Sequence, residues 1–139
     1  MVPTMYLALK YAHLLTAIVA LGAGTAVGVI LVSTDDPTHG DFALRLARRL
    51  LWIVVAGYVL MLVTGMWMGH VENLLDAHWA EMAMNIWGVG ALFIGLAVRS
   101  VTRQIRSRGG REAVLGRLFM AGWGAVLVVI LYFMVFKPG

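Results

Sequence analysis

Four apolar runs, Met5 to Ser33, Leu50 to Gly69, Ala80 to Val98 and Leu118 to Phe136, follow one another along this chain with little between them. Each reaches the roughly 20 residues that a helix rising ~1.5 Å per residue needs to cross ~30 Å of hydrocarbon. With 61% hydrophobic and 13% charged residues and a mean hydropathy of +0.87, the composition is that of a membrane protein before any motif is considered. The expected fold is all-α: a four-helix transmembrane bundle, multi-pass, forming a single membrane domain over residues 1–139. Any function must be housed in the bundle or supplied by a partner.

The charges give the bundle an orientation. All nine arginines fall between Arg45 and Arg49 or between Arg99 and Arg117, in the first and third connections, which four spans place on one side of the membrane. Cytoplasmic loops collect Lys and Arg, so this side is expected to face the cytoplasm and both termini the outer side. The middle connection, His70 to Trp79, has no Lys or Arg but holds Glu72, Asp76 and two histidines, as an outward loop can. The opening MVPTMYLALK lacks a basic n-region, so the first run reads as a retained span and not a cleaved signal peptide. The expected location is the plasma membrane, the inner membrane of a bacterium. The same rule accounts for the formal charge of +4 and the pI near 10.0 without nucleic acid, which is not expected as a partner. Anionic lipid headgroups are the natural partners of that basic surface. Absence of cysteine excludes disulfides, thiolate metal sites and iron–sulfur clusters.

The inner connections read as helical close to the membrane. Asp41 is placed to cap the segment DFALRLARRLLW, whose Phe42, Leu44 and Leu46 alternate with Arg45, Arg48 and Arg49, so the second span is expected to begin as an amphipathic turn on the membrane surface. TDDPTHG is a polar turn around Pro37, with His39 as a solvated loop residue. Gly109 and Gly110 break two basic helical extensions, and the charges around them read as a solvated face.

Ligand-capable groups concentrate in the outer half. Lys10 and His13 are three apart on one face of the first span, roughly 12 to 15 Å below its outer end. Ionisable groups at such depth are costly and usually face a bundle interior, a cavity or a cofactor. The plainer alternatives are a neutral imidazole donating to a backbone carbonyl, Tyr58 or Tyr132, and a lysine snorkelling to the headgroups. Met66 and His70 are four apart near the end of span two, while His78, Met82 and Asn85 form one stripe at the start of span three, with Glu81 near His78. An outer-leaflet site is therefore expected from His13, His70 and His78, with Met66 and Met68 around it. Imidazole and thioether suit haem iron and copper(I); few carboxylates argue against calcium and magnesium. Methionines also fill gaps between helices, and loop histidines can sit among headgroups.

Small residues set how closely the spans can approach. Ala20, Gly22, Gly24 and Gly28 line span one, with Gly24 and Gly28 in a G-x-x-x-G arrangement; Gly88, Gly90 and Gly95 mark span three, and Gly122 and Gly124 span four. They would serve close helix packing or leave room for a flat macrocycle. Tyr6, Trp67 and Trp79 fit an outer aromatic belt and Trp52 an inner one, while Trp87 and Trp123 lie deeper, as packing residues.

The first span, with Lys10-Tyr11-Ala12-His13 followed by Leu21-Gly22-Ala23-Gly24, resembles the opening helix of small membrane proteins related to the copper-resistance protein D superfamily, which also takes in HemJ-type protoporphyrinogen oxidases. Leu62-Val63-Thr64-Gly65-Met66-Trp67 is similar to the L-x-T-G-x-W close of their second helix. The resemblance covers about the first half of the chain, and Ala20 stands where relatives often carry Trp. It implies a bundle that binds b-type haem through His13, or, in a copper-resistance reading, a copper path through the same residue. Porphyrinogen oxidation is not carried over, since a chain this short has few groups left for substrate.

Three functions follow as expectations. One is a cytochrome b-like haem protein passing electrons near the outer face, with His13 as one axial ligand, His70, His78 or Met66 as the other, and Lys10 beside the cofactor. Another is a copper-handling protein in which His70, Met66, Met68 and His78 capture the metal and His13 receives it. The third is an accessory subunit of a larger membrane complex, or a homo-oligomer, whose polar residues satisfy one another. No catalytic residue is indicated.

Overall fold

A computed structural model describes residues 3–33, 40–71, 78–107 and 110–136, and all of them are helical. The elements are α1 (Pro3–Ser33), α2 (Gly40–Val71), α3 (His78–Ser107) and α4 (Gly110–Phe136). All four are long and apolar enough to cross a membrane. Connections of six, six and two residues leave consecutive helices no choice but to run antiparallel, which puts the arginines of α2, α3 and α4 at one end of the bundle. The turn around Pro37 and His39, the acidic pair Glu72 and Asp76, and Gly109 lie outside the described residues.

The helices exceed the apolar runs. At 27 to 32 residues they are about 40 to 48 Å long, enough to pass through the headgroups as well as the hydrocarbon. The segment from Asp41 to Trp52 is not a separate turn on the surface but the opening of α2 itself. Leu44, Ala47 and Leu51 are buried in the core, while Asp41, Phe42, Leu46, Trp52 and the arginines are turned outward. Arginine has good helix propensity, so a charge run that ends an apolar stretch need not end the helix.

Packing joins α1 to α2 and α3 to α4 most closely; the two hairpins meet more lightly through α2 and α3 on one side and α1 and α4 on the other. Gly57 lies against Ala20 where α1 crosses α2, and a Cβ there would come within 2.9 Å of the alanine methyl. Gly90 accepts the hydroxyl of Tyr58, and Gly122 the ring of Phe93. The core runs through Val27 and Leu31, through Leu44, Leu51 and Val54, through Ile94 and Val101, and through Met120 and Trp123. Tyr58 stacks on Trp87 with centroids 4.8 Å apart, meets Trp123 edge-on at 6.5 Å and donates its hydroxyl to the Trp87 carbonyl at 3.0 Å. The deep tryptophans are thus packing residues, whereas Trp52 and Trp67 are exposed, as belt residues would be.

The buried residues are unevenly placed. Among the described residues they fall between 20 and 31 on α1, 44 and 58 on α2, 90 and 104 on α3, and 116 and 130 on α4. On α1, α2 and α3 these segments lie toward the arginine-bearing end, whereas on α4 the segment is centred on the helix. At that end the guanidinium of Arg117 donates from Nε to the Leu31 carbonyl at 2.7 Å, filling an acceptor in the last turns of α1. Ser100 donates to the carbonyl of Glu112 at 2.6 Å, and the Glu112 carboxylate lies 3.8 Å from Arg103 in the first turn of α4. The opposite end has no fully buried residue among those described.

Candidate functional site

His13 lies in that opposite half, on the face of α1 turned to α2, half-buried. Its Nδ1 is 2.7 Å from the hydroxyl oxygen of Thr64. That hydroxyl donates to the Leu60 carbonyl, also at 2.7 Å, within its own helix. With that proton on the carbonyl, the oxygen can accept from Nδ1–H. The backbone carbonyl of Met61 also interacts with the His13 ring. The imidazole is thus held by two groups of α2, a fixed ring orientation of the kind that metal-binding histidines use.

Gly65 makes the approach possible. A Cβ there would stand 3.3 Å from His13 Cε1, tighter than ordinary contact, so any other residue would push the ring aside. Thr16, one turn along α1, donates to the His13 carbonyl at 2.8 Å and fixes the local backbone. The partners of the imidazole are therefore Thr64 and a backbone carbonyl, that of Met61, as the plainer alternative had it, and neither Tyr58 nor Tyr132: Tyr58 is engaged with Trp87, and Tyr132 packs on Phe133 and Phe136.

The other candidates do not gather around His13. Met66 and His70 share a face of α2, but by helical period it lies about 200° to 240° round from Thr64, and both residues are exposed. His70 is six residues beyond Thr64, about 9 Å further along the axis. His78 and Met82 are exposed at the start of α3, and Met68 is half-buried. No three His, Cys, Asp or Glu side chains come together as a metal-holding group among the described residues. Lys10 is exposed, as a snorkelling lysine would be, and makes no ion pair with Glu81 among the described residues. Trp79 is on α3, but its side chain is not described.

The glycines sort into two kinds. Gly24 lies under the ring of Trp123, so it makes room for an aromatic side chain and not for a second backbone, and its presumed companion Gly28 has open space where a Cβ would stand. Gly22, Gly88, Gly95 and Gly124 are open in the same sense.

Thr64 and Gly65 are the residues that sequence reasoning passed over as site members. The signal was available, because a Thr-Gly pair stands on the second span at the depth of His13 on the first.

Protein-family models, curated proteins and solved structures offer no match to this chain.

Proposed function

We propose that this protein is a b-type haem protein of the plasma membrane, passing electrons near the outer face, with His13 as an axial ligand. The observation that carries the reading is the meeting of two short motifs, K-x-x-H on α1 and T-G-x-W on α2, through the 2.7 Å contact between His13 and Thr64. Residues 51 apart in sequence combine to orient one imidazole. The residues present fit one axial ligand of a haem, whose iron supplies a reversible one-electron couple when bound. Thr64 helps to fix the ring plane, Gly65 leaves space beside Cε1, and the thinly packed half leaves helix faces on which a flat macrocycle can lie. His70, His78 and Met66 are exposed and not gathered with His13, so any second ligand to the group would come from a partner, from solvent or from a rearrangement of these residues. In this orientation the arginine-bearing end is cytoplasmic and both termini are outside.

The test is a visible absorption spectrum, oxidised and dithionite-reduced, of protein purified in mild detergent from cells supplied with haem precursor. A Soret band with α and β bands sharpening on reduction is expected. A flat spectrum from folded, helical protein sinks the proposal.

A second reading has an observation of its own. Several polar groups pair across the helices, His13 with Thr64, Tyr58 with the Trp87 carbonyl, Ser100 with Glu112 and Arg117 with the Leu31 carbonyl, while the indole nitrogens of Trp87 and Trp123 and Oε1 of Gln104 are buried without a hydrogen bond among the described residues. An accessory subunit, needing no cofactor, would be built this way, and its lightly packed half would be where neighbours dock. Gentle extraction followed by native electrophoresis separates the two: stable neighbouring subunits and no haem favour this second reading. Copper handling ranks below both, because its proposed ligands His70, Met66, Met68 and His78 are not gathered.

A further inference from the structure

Between α1 and α4, the pair of adjacent helices that approach least closely, the bundle leaves a groove of about 540 Å³. Its floor is made by Gly24, Gly28 and Gly124 and the ring of Trp123, and its walls by aliphatic side chains such as Val29 and Val32. Two hydroxyls line it, those of Thr25 and Ser33, but each is turned back onto its own helix, donating to the Leu21 and Val29 carbonyls at 2.9 Å. The channel is therefore apolar along its length. From Leu21 to Ser33 it runs about 18 Å along α1, close to the ~15 Å depth of one leaflet.

One charged residue lines the groove, Arg117, at the end where Ser33 also lies. No carboxylate is among the lining residues. That mouth opens on the arginine-bearing end, where the chain places nine arginines against Asp35, Asp36, Asp41 and Glu112. The electrostatic pull on an anion belongs to the whole end, so it persists with the Nε–H of Arg117 engaged at Leu31.

We infer that this groove holds an acyl chain of one anionic phospholipid, drawn from the leaflet on the arginine-bearing side, with its headgroup at the mouth beside Arg117. A leaflet-long apolar channel with a cationic mouth matches a molecule that is a chain at one end and an anion at the other. A helix from a second copy matches it less well. An apolar helix seated there would cover the Arg117 guanidinium with apolar surface.

Gly28 and Gly124 supply the test, since both line the groove and a Cβ at either meets nothing within 4 Å, so that a leucine there would take up channel space. The protein in mild detergent is titrated with phosphatidylglycerol and, separately, with phosphatidylcholine of the same chains, and bound lipid is counted by native mass spectrometry. The wild type is expected to retain one phosphatidylglycerol, at least about five-fold in preference to phosphatidylcholine. Gly28→Leu and Gly124→Leu should lose that lipid while keeping helix content and monomeric mass. Arg117→Gln should lower the preference about five-fold. Equal retention of the two lipids by the wild type overturns the inference. So does a bound lipid indifferent to both leucines, and so does a dimer that the leucines dissolve, which would make the second copy the occupant.

Discussion

Toward the arginine-bearing end and the middle, the four helices bury Leu31, Leu51, Val54, Val101 and Trp123 and lock their termini with Arg117, Ser100 and Glu112; toward the opposite end, in the turns beyond Ala20, Tyr58, Gly90 and Ile130, the same helices carry His13, Met66, His70 and His78 and bury no described residue. Lipid tails are as apolar as leucine, so helix association in a membrane rests on close contact and a few hydrogen bonds, not on removing apolar surface from water. The stability of the bundle is then local to the half where contacts are close. A half held by a pair such as His13 and Thr64 can open, accept a flat ligand or receive a neighbour without disturbing the rest.

Substitutions that separate the halves give the largest effects. Trp123→Ala removes the ring that fills the centre of the packed half and should cost about 3 to 5 kcal/mol, with Leu51→Ala at about 2 to 5 kcal/mol. Leu15→Ala, on the exposed surface of the other half, should stay within about 0.5 kcal/mol. Thermal unfolding in detergent checks all three, and equal losses would erase the distinction. Next come two glycines on α1. Gly24→Ala drives a methyl into the Trp123 ring and should lose about 1 to 3 kcal/mol, whereas Gly22→Ala enters open space and should leave the melting temperature unchanged or slightly higher. The smallest effects sharpen the comparison most. Tyr58→Phe and Thr64→Val each delete one interhelical hydrogen bond, worth about 0.6 kcal/mol in a membrane. Their stability losses should therefore be alike, but only Thr64→Val should reduce the haem retained per protein, because Thr64, unlike Tyr58, holds the imidazole. Retention that falls equally in both would show that the loss reflects loosened folding.

How much was legible in the sequence follows from what each property depends on. The four spans were readable because hydropathy acts locally. The helix ends were not: α2 starts at Gly40, ten residues before the apolar run at Leu50, since Arg45, Arg48 and Arg49 are good helix formers that a hydropathy count reads as an interruption. Trp87 and Trp123 were legible as deep packing residues from their distance to the span ends. The rotation of each helix was not legible, because spans that are apolar nearly all round do not announce which face turns inward. This is why Met66 and His70 could be placed on one face but not with respect to His13, and why Gly24 reads as a helix–helix contact when it lies under Trp123. The pairing of His13 with Thr64 depends on the rotation of both α1 and α2 and becomes visible only in three dimensions.

The measurement that bears most directly on the role of His13 is haem per polypeptide in His13→Ala beside wild type, both purified identically and matched for helix content by circular dichroism. With His13 as the ligand, the wild type carries haem and the variant, equally helical, carries almost none. Equal haem in the two proteins would contradict the assignment and move the ligand elsewhere in the chain.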